Sequence, residues 1–265
     1  MKRHFITILL AAALALGMIS PVWAETTVDK TDVEKGIVQV KLVNTGNKKM
    51  KAIIEKDGTK YIYTLRARSS ETFPLQMGSG AYTVSTLENV SGNQYKQLTK
   101  ETVTMQNTNE NIIYLNSIQL VDWNTTMAAI AKAQELTQGL TSEDEKFDVI
   151  YKYMTENFAY DFDKIKNLPT DYIPDVDQIF NVKKGICYDY ASVLGSMLRS
   201  VGISAKLCMG YTEYVKEYHA WNEVYLNSLK KWCVVDTTVD AQYVAAKQPI
   251  DKVKADDKYK KAKQY

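Results

Sequence analysis

Gly185-Ile186-Cys187-Tyr188-Asp189-Tyr190-Ala191 opens a segment in which Ala191, Leu194, Leu198 and Val201 share one helical face, with Gly202 placed to end it. The reading is a helix from Cys187 to Ser200, with the cysteine at its first turn. Backbone N–H groups there lack intrahelical partners, and the helix dipole favours negative charge. Such a position suits a thiolate, the reactive form of cysteine. Taken alone, a cysteine at a helix start is more often a small buried side chain.

The residues that follow read as strands: Ile203 to Tyr211, His219 to Leu226 and Lys231 to Asp236. The chain has two histidines, His4 and His219. Only His219 lies in this half, which excludes a zinc site built on two histidines and leaves one imidazole to serve Cys187 as base. If Asn227-Ser228 is a two-residue turn, His219 and Asp236 fall opposite each other on one face of the hairpin. An acid there would fix the imidazole tautomer. Without those neighbours His219 reads as a packed core residue, and Asp236 as the start of a turn with Thr237-Thr238.

Outward from this site the chain divides into two halves. Residues 28–118 read as β structure, with strand-like runs at 37–43, 50–56, 59–65, 72–75, 81–87, near 95–105 and at 112–115. Asp57-Gly58 suits a two-residue hairpin turn. Seven short strands between Gly, Asn and Ser turns predict a small β-sandwich. From Trp123 the pattern turns helical. A helix is expected over Thr125 to Leu136, and another after the capping-box residues Ser142 to Glu145, with Phe147, Ile150, Tyr151, Met154 and Phe158 on its apolar face. Residues 159–183 read as loop. The fold class is α+β: a helix carrying the cysteine, packed on an antiparallel sheet, preceded by an all-β sandwich-like domain. The expected boundaries are 1–24, 25–118, 119–246 and a charged, solvated tail over 247–265 with seven lysines and three aspartates.

Residues 1–24 have the form of a cleaved secretory signal: Lys2 and Arg3, an apolar run from Phe5 to Ile19, Pro21, then Val22-Trp23-Ala24. An uncleaved anchor is the other reading, although the run is shorter than the roughly 20 residues a span needs. Cleavage after Ala24 would leave 31 basic residues against 31 acidic ones, from totals of 33 and 31. A neutral chain lacks the basic surface that nucleic acid demands. The expectation is an extracytoplasmic protein with no transmembrane segment after signal removal. Of three cysteines, Cys208 and Cys233 fall on strands flanking the His219 strand, roughly 9–10 Å apart. That is too far for a disulfide, so both are expected free and buried.

Around this helix and sheet, Lys184 to Ala191, Leu198 to Ile203, Gly210-Tyr211, His219 to Tyr225 and Trp232 to Asp236 resemble the transglutaminase-like superfamily over about 145–240. The resemblance implies a papain-like thiol mechanism with Cys187, His219 and Asp236 as nucleophile, base and orienting acid. It implies a protein or peptide substrate, and location points to cell-wall peptides. Tyr160, in Tyr160-Asp161, resembles a family feature and would join the Cys187 N–H at the oxyanion. The upstream tryptophan of animal transglutaminases has no counterpart. Tyr211, Tyr218 and Trp221 are candidates for substrate contact, with Tyr211, Tyr214 and Tyr218 before His219 the better ones; aromatic residues on strands are more often core packing. No cofactor or metal is required, and there is no EF-hand-type loop. The alternative function is a catalytically silent binding module acting through its β domain.

Overall fold

A computed structural model describes residues 25–44, 48–66, 70–107 and 109–265. The expected signal over 1–24 lies outside them. Among the described residues, no helix is long and apolar enough to cross a membrane.

The first half contains β1 (Glu25–Asp29), β2 (Ile37–Asn44), β3 (Met50–Lys56), β4 (Thr59–Leu65), β5 (Ser70–Pro74), β6 (Gly80–Ser91) and β7 (Gln94–Met105). They form two antiparallel sheets, ordered β1-β2-β5 and β4-β3-β6-β7. Asp57 and Gly58 both take positive φ, 49° and 79°, and close the β3–β4 hairpin with Lys56 opposite Thr59. Alternation along β3 turns Met50, Ala52 and Ile54 inward, where they meet Val38, Val40 and Phe73 of the other sheet.

Residues 112–115 are not a strand. Glu110–Leu115 is a 3-10 helix, opened by the Asn109 side chain on Asn111 N and closed by Asn116 Nδ2 on the carbonyls of Ile112 and Ile113. Bracketing asparagines overrode a strand-like apolar run.

The second half contains α1 (Ala128–Leu136), α2 (Glu143–Asn157), β8 (Ala159–Tyr160), α3 (Val176–Val182), β9 (Lys184–Gly185), α4 (Cys187–Ser200), β10 (Ala205–Thr212), β11 (His219–Leu226), β12 (Lys231–Val235), α5 (Thr237–Ala245) and β13 (Tyr259–Gln264). The main sheet is antiparallel, ordered β12-β11-β10-β13, with α4 packed on it through Ala191, Leu194 and Leu198. The stretch expected as loop therefore holds a helix, α3, capped by Asp175 on Gln178 N and burying Val176, Ile179 and Phe180.

The expected solvated tail is also corrected. β13 pairs with β10 from Thr212↔Tyr259 to Cys208↔Gln264. Tyr259 and Tyr265 are buried, while Lys260, Lys261 and Lys263 face outward. Lysines on an exposed edge strand discourage pairing with other chains, which explains why the segment looks like a soluble tail. Gly210 makes room for it: a Cβ there would lie 2.1 Å from Lys260 O and 3.0 Å from Ala262 N.

The two halves share a core. One apolar cluster runs from Val38, Phe73 and Val84 to Ala191, Leu207, Ala220 and Tyr265. Arg199 pins the same junction, donating to the carbonyls of Asn116, Ala205 and Tyr265. Complete burial pushes its guanidinium down to about 9.

Candidate functional site

Ile186 caps α4 and Cys187 is its first helical residue, so the Cys187 N–H has no intrahelical acceptor. The Asp189 carboxylate turns back to accept from Ile186 N at 2.9 Å, and binds Lys164 Nζ and the Tyr172 hydroxyl. Through these contacts the segment after β8 is tied to the cysteine turn. Gly185 is needed there, because a Cβ would stand 2.6 Å from Asp189 Cβ. Gly185 also pairs with Tyr160 in the parallel β8–β9 ladder, which carries Tyr160 to the cysteine.

His219 begins β11 and is buried, with Nε2 2.7 Å from Asp236 Oδ2. Its other close neighbour is the Cys187 side chain, whose proximity favours the charged ring. His219 and Asp236 do not meet as a directly opposed pair of strand residues. The β11–β12 turn spans residues 227–230, so Leu226 pairs with Lys231 and the register is two residues beyond that of a two-residue turn. A shift of two preserves the face. Asp236 lies just past β12, as the N-cap of α5, and accepts from Thr238 N and Val239 N at 3.1 Å on Oδ1. The turn reading and the histidine-partner reading of Asp236 are both realised, one oxygen each. A further donor reaches Oδ2, the Tyr259 hydroxyl at 2.8 Å.

Burial of the His219 ring opposes its charged form, but the hydrogen bond to Asp236 and the nearby Cys187 outweigh this and raise it from 6.5 to about 10. Both neighbours thus favour the protonated imidazole. Tyr160 is pushed up to about 12, first by burial and then by Cys187 and Glu217, which keeps its hydroxyl a neutral donor.

Cys187 and His219 open into a cavity of about 510 Å³ with Tyr160, Tyr214 and Tyr218 on its wall. Phe162, Ile165, Val215 and Tyr243 make it apolar, and among the described residues Glu217 is the only carboxylate lining it. Of the expected contacts, Trp221 is withdrawn from the cavity and Tyr211 lies beside it. Trp221 is 1% exposed and packs with Cys208, Val234 and Tyr259 behind the site, because β11 is covered on both faces. Tyr211 is 54% exposed and lies edge-on to Tyr218, outside the cavity. The α5 residues Val239 and Tyr243 were missed because α5 itself was; the Asp236-Thr237-Thr238 start was its only signal. Cys208 and Cys233 are free and buried. Among the described residues, no group of His, Cys, Asp and Glu is placed to hold a metal.

Residues 130–237 match the family model described as the transglutaminase-like superfamily. No functionally curated protein matches. Similar solved structures include a proposed cysteine protease from Cytophaga hutchinsonii, 14% identical, covering 76% of this chain and 64% of its own, with a TM-score of 0.43. A proposed protease from Parabacteroides distasonis is 12% identical, covers 75% and 62%, and has a TM-score of 0.35. Red sea bream transglutaminase is 10% identical, covers 82% and 53%, and has a TM-score of 0.33. The chain thus spans less than two thirds of each of these three structures. By the family match, residues 130–237 form a transglutaminase-like domain, and Cys187 and His219 lie inside it.

Proposed function

We propose that this chain is an exported cysteine enzyme that cleaves or transfers peptide acyl groups through a Cys187 thioester. The observation that carries the reading is His219, held between the Cys187 side chain and a buried Asp236 at the floor of an open cavity. The Cys187 sulfur adds as an anion to an amide carbonyl carbon, with His219 protonated. The Cys187 N–H, which has no intrahelical acceptor, and the Tyr160 hydroxyl meet the oxyanion. His219 then gives its proton to the departing amine as the C–N bond breaks, leaving the thioester. An amine or water adds next, passes a proton to His219, and breaks the C–S bond to restore the cysteine. Asp236 keeps the ring in one orientation throughout. The apolar wall of Phe162, Ile165 and Tyr243 suits peptide side chains, and the sequence of residues 1–24 supports an extracytoplasmic substrate such as cell-wall peptide.

The test is intact-mass analysis of glutamine-containing peptides incubated with the protein, with and without a primary amine. Amine-dependent adducts indicate transfer, and cleavage or deamidation indicates hydrolysis. Cys187→Ala is expected to lose either activity by at least about a thousandfold. Equal turnover in Cys187→Ala would sink the mechanism.

A further inference from the structure

Asp236 is fully buried, so each acceptor position on it matters. Oδ1 is taken by two α5 backbone N–H groups, whereas Oδ2 is shared by His219 Nε2 at 2.7 Å and the Tyr259 hydroxyl at 2.8 Å. Tyr259 comes from β13, beyond the 130–237 family match. Its ring is fixed against Trp221 at 5.0 Å and Tyr214 at 5.8 Å. The absence of a side chain at Gly210 is what lets β13 come close enough to deliver it.

We infer that Tyr259 is a positioning residue of the site: by donating to Asp236 Oδ2 it takes part of the negative charge that would otherwise fall wholly on His219. A carboxylate oxygen that already accepts one hydrogen bond is a weaker acceptor for a second. The imidazolium is thereby held less tightly and gives its proton to a departing amine more readily. Toward Asp236 the Tyr259 hydroxyl is the donor: a carboxylate only accepts, and burial and then the Asp236 charge push the hydroxyl well above the usual range, which keeps its proton on. The other titratable groups around the site are Cys187 on α4, Tyr160 on β8, Glu217 on the loop before β11 and, one turn along α5, Asp240, which is occupied by Lys254 and Tyr151. None of these donates to Asp236 among the described residues. The inference rests on the proposed function only for its effect on turnover, not for the shared oxygen.

NMR titration of the full chain from pH 6 to 11 tests it. Two imidazoles are present, and His219→Gln assigns the one of interest. Tyr259→Phe keeps the ring and removes the hydroxyl; Tyr259→Met removes both while keeping bulk. Both are expected to raise the His219 midpoint by about half a unit to one unit, the scale of one hydrogen bond to a charged group. Acyl transfer should fall about three- to tenfold in kcat with KM unchanged. An unmoved midpoint in both variants, or a shift in Tyr259→Met alone, reduces Tyr259 to packing and overturns the inference. If the unaltered protein shows no acyl transfer, the proposed function fails, while the midpoint still decides the role of Tyr259.

Discussion

His219 concentrates the residue-scale chemistry. A base whose folded value is raised to about 10 from 6.5 stabilises the fold fully below pH 6.5 and loses that contribution as pH climbs through 10. Urea midpoints should therefore fall between pH 6.5 and 10, by a stability change on the order of a few kcal/mol. His219→Gln should flatten this fall; an equally steep decline in the variant would show that other groups cause it. Cys187, His219 and Asp236 were legible as candidates because the chain has so few imidazoles, and because a hairpin carries one candidate to the other. Tyr259 was not legible. A tyrosine beside lysines reads as surface until the strand that buries it is known, and Trp221 failed for a related reason: alternation along β11 does not say that both of its faces are covered.

At the scale of elements, α4 and β11 follow their sequence signals closely, because a long apolar face and uninterrupted alternation leave few competing structures. The failures cluster where a single polar side chain decides. Asp175 starts α3, Asp236 starts α5, and Asn109 with Asn116 curls the run expected as a strand. The β11–β12 turn is two residues longer than Asn227-Ser228 alone, yet the face survives because a strand repeats every two. Gly210 offers the sharpest element-scale test. Gly210→Ala would place a methyl against the Lys260 carbonyl and push β13 away. Chemical denaturation should report a loss of about 3 kcal/mol, and the His219 midpoint should move in the direction expected for Tyr259→Phe. A variant as stable as the parent would mean that β13 accommodates the methyl without displacement.

For the whole molecule, the division into β and α+β halves was legible from composition and turn spacing, but their interdependence was not. Core residues from both halves merge, and Arg199 joins the segment at Asn116 to β10 and Tyr265. Neither half buries its apolar surface alone. Calorimetry should therefore show one unfolding transition, lowered as a unit by Arg199→Met. Two separated transitions would show that the halves are independent.

The position of β13 after Cys187, His219 and Asp236 also orders events in time. A ribosome releases Cys187, His219 and Asp236 before it releases Tyr259, and the sheet edge on β10 stays open until β13 arrives. During synthesis the reactive thiol exists before the group that steadies its proton partner. A nascent chain halted short of β13 would carry the nucleophile, the base and the acid, but with an unshared carboxylate and a mistuned imidazole.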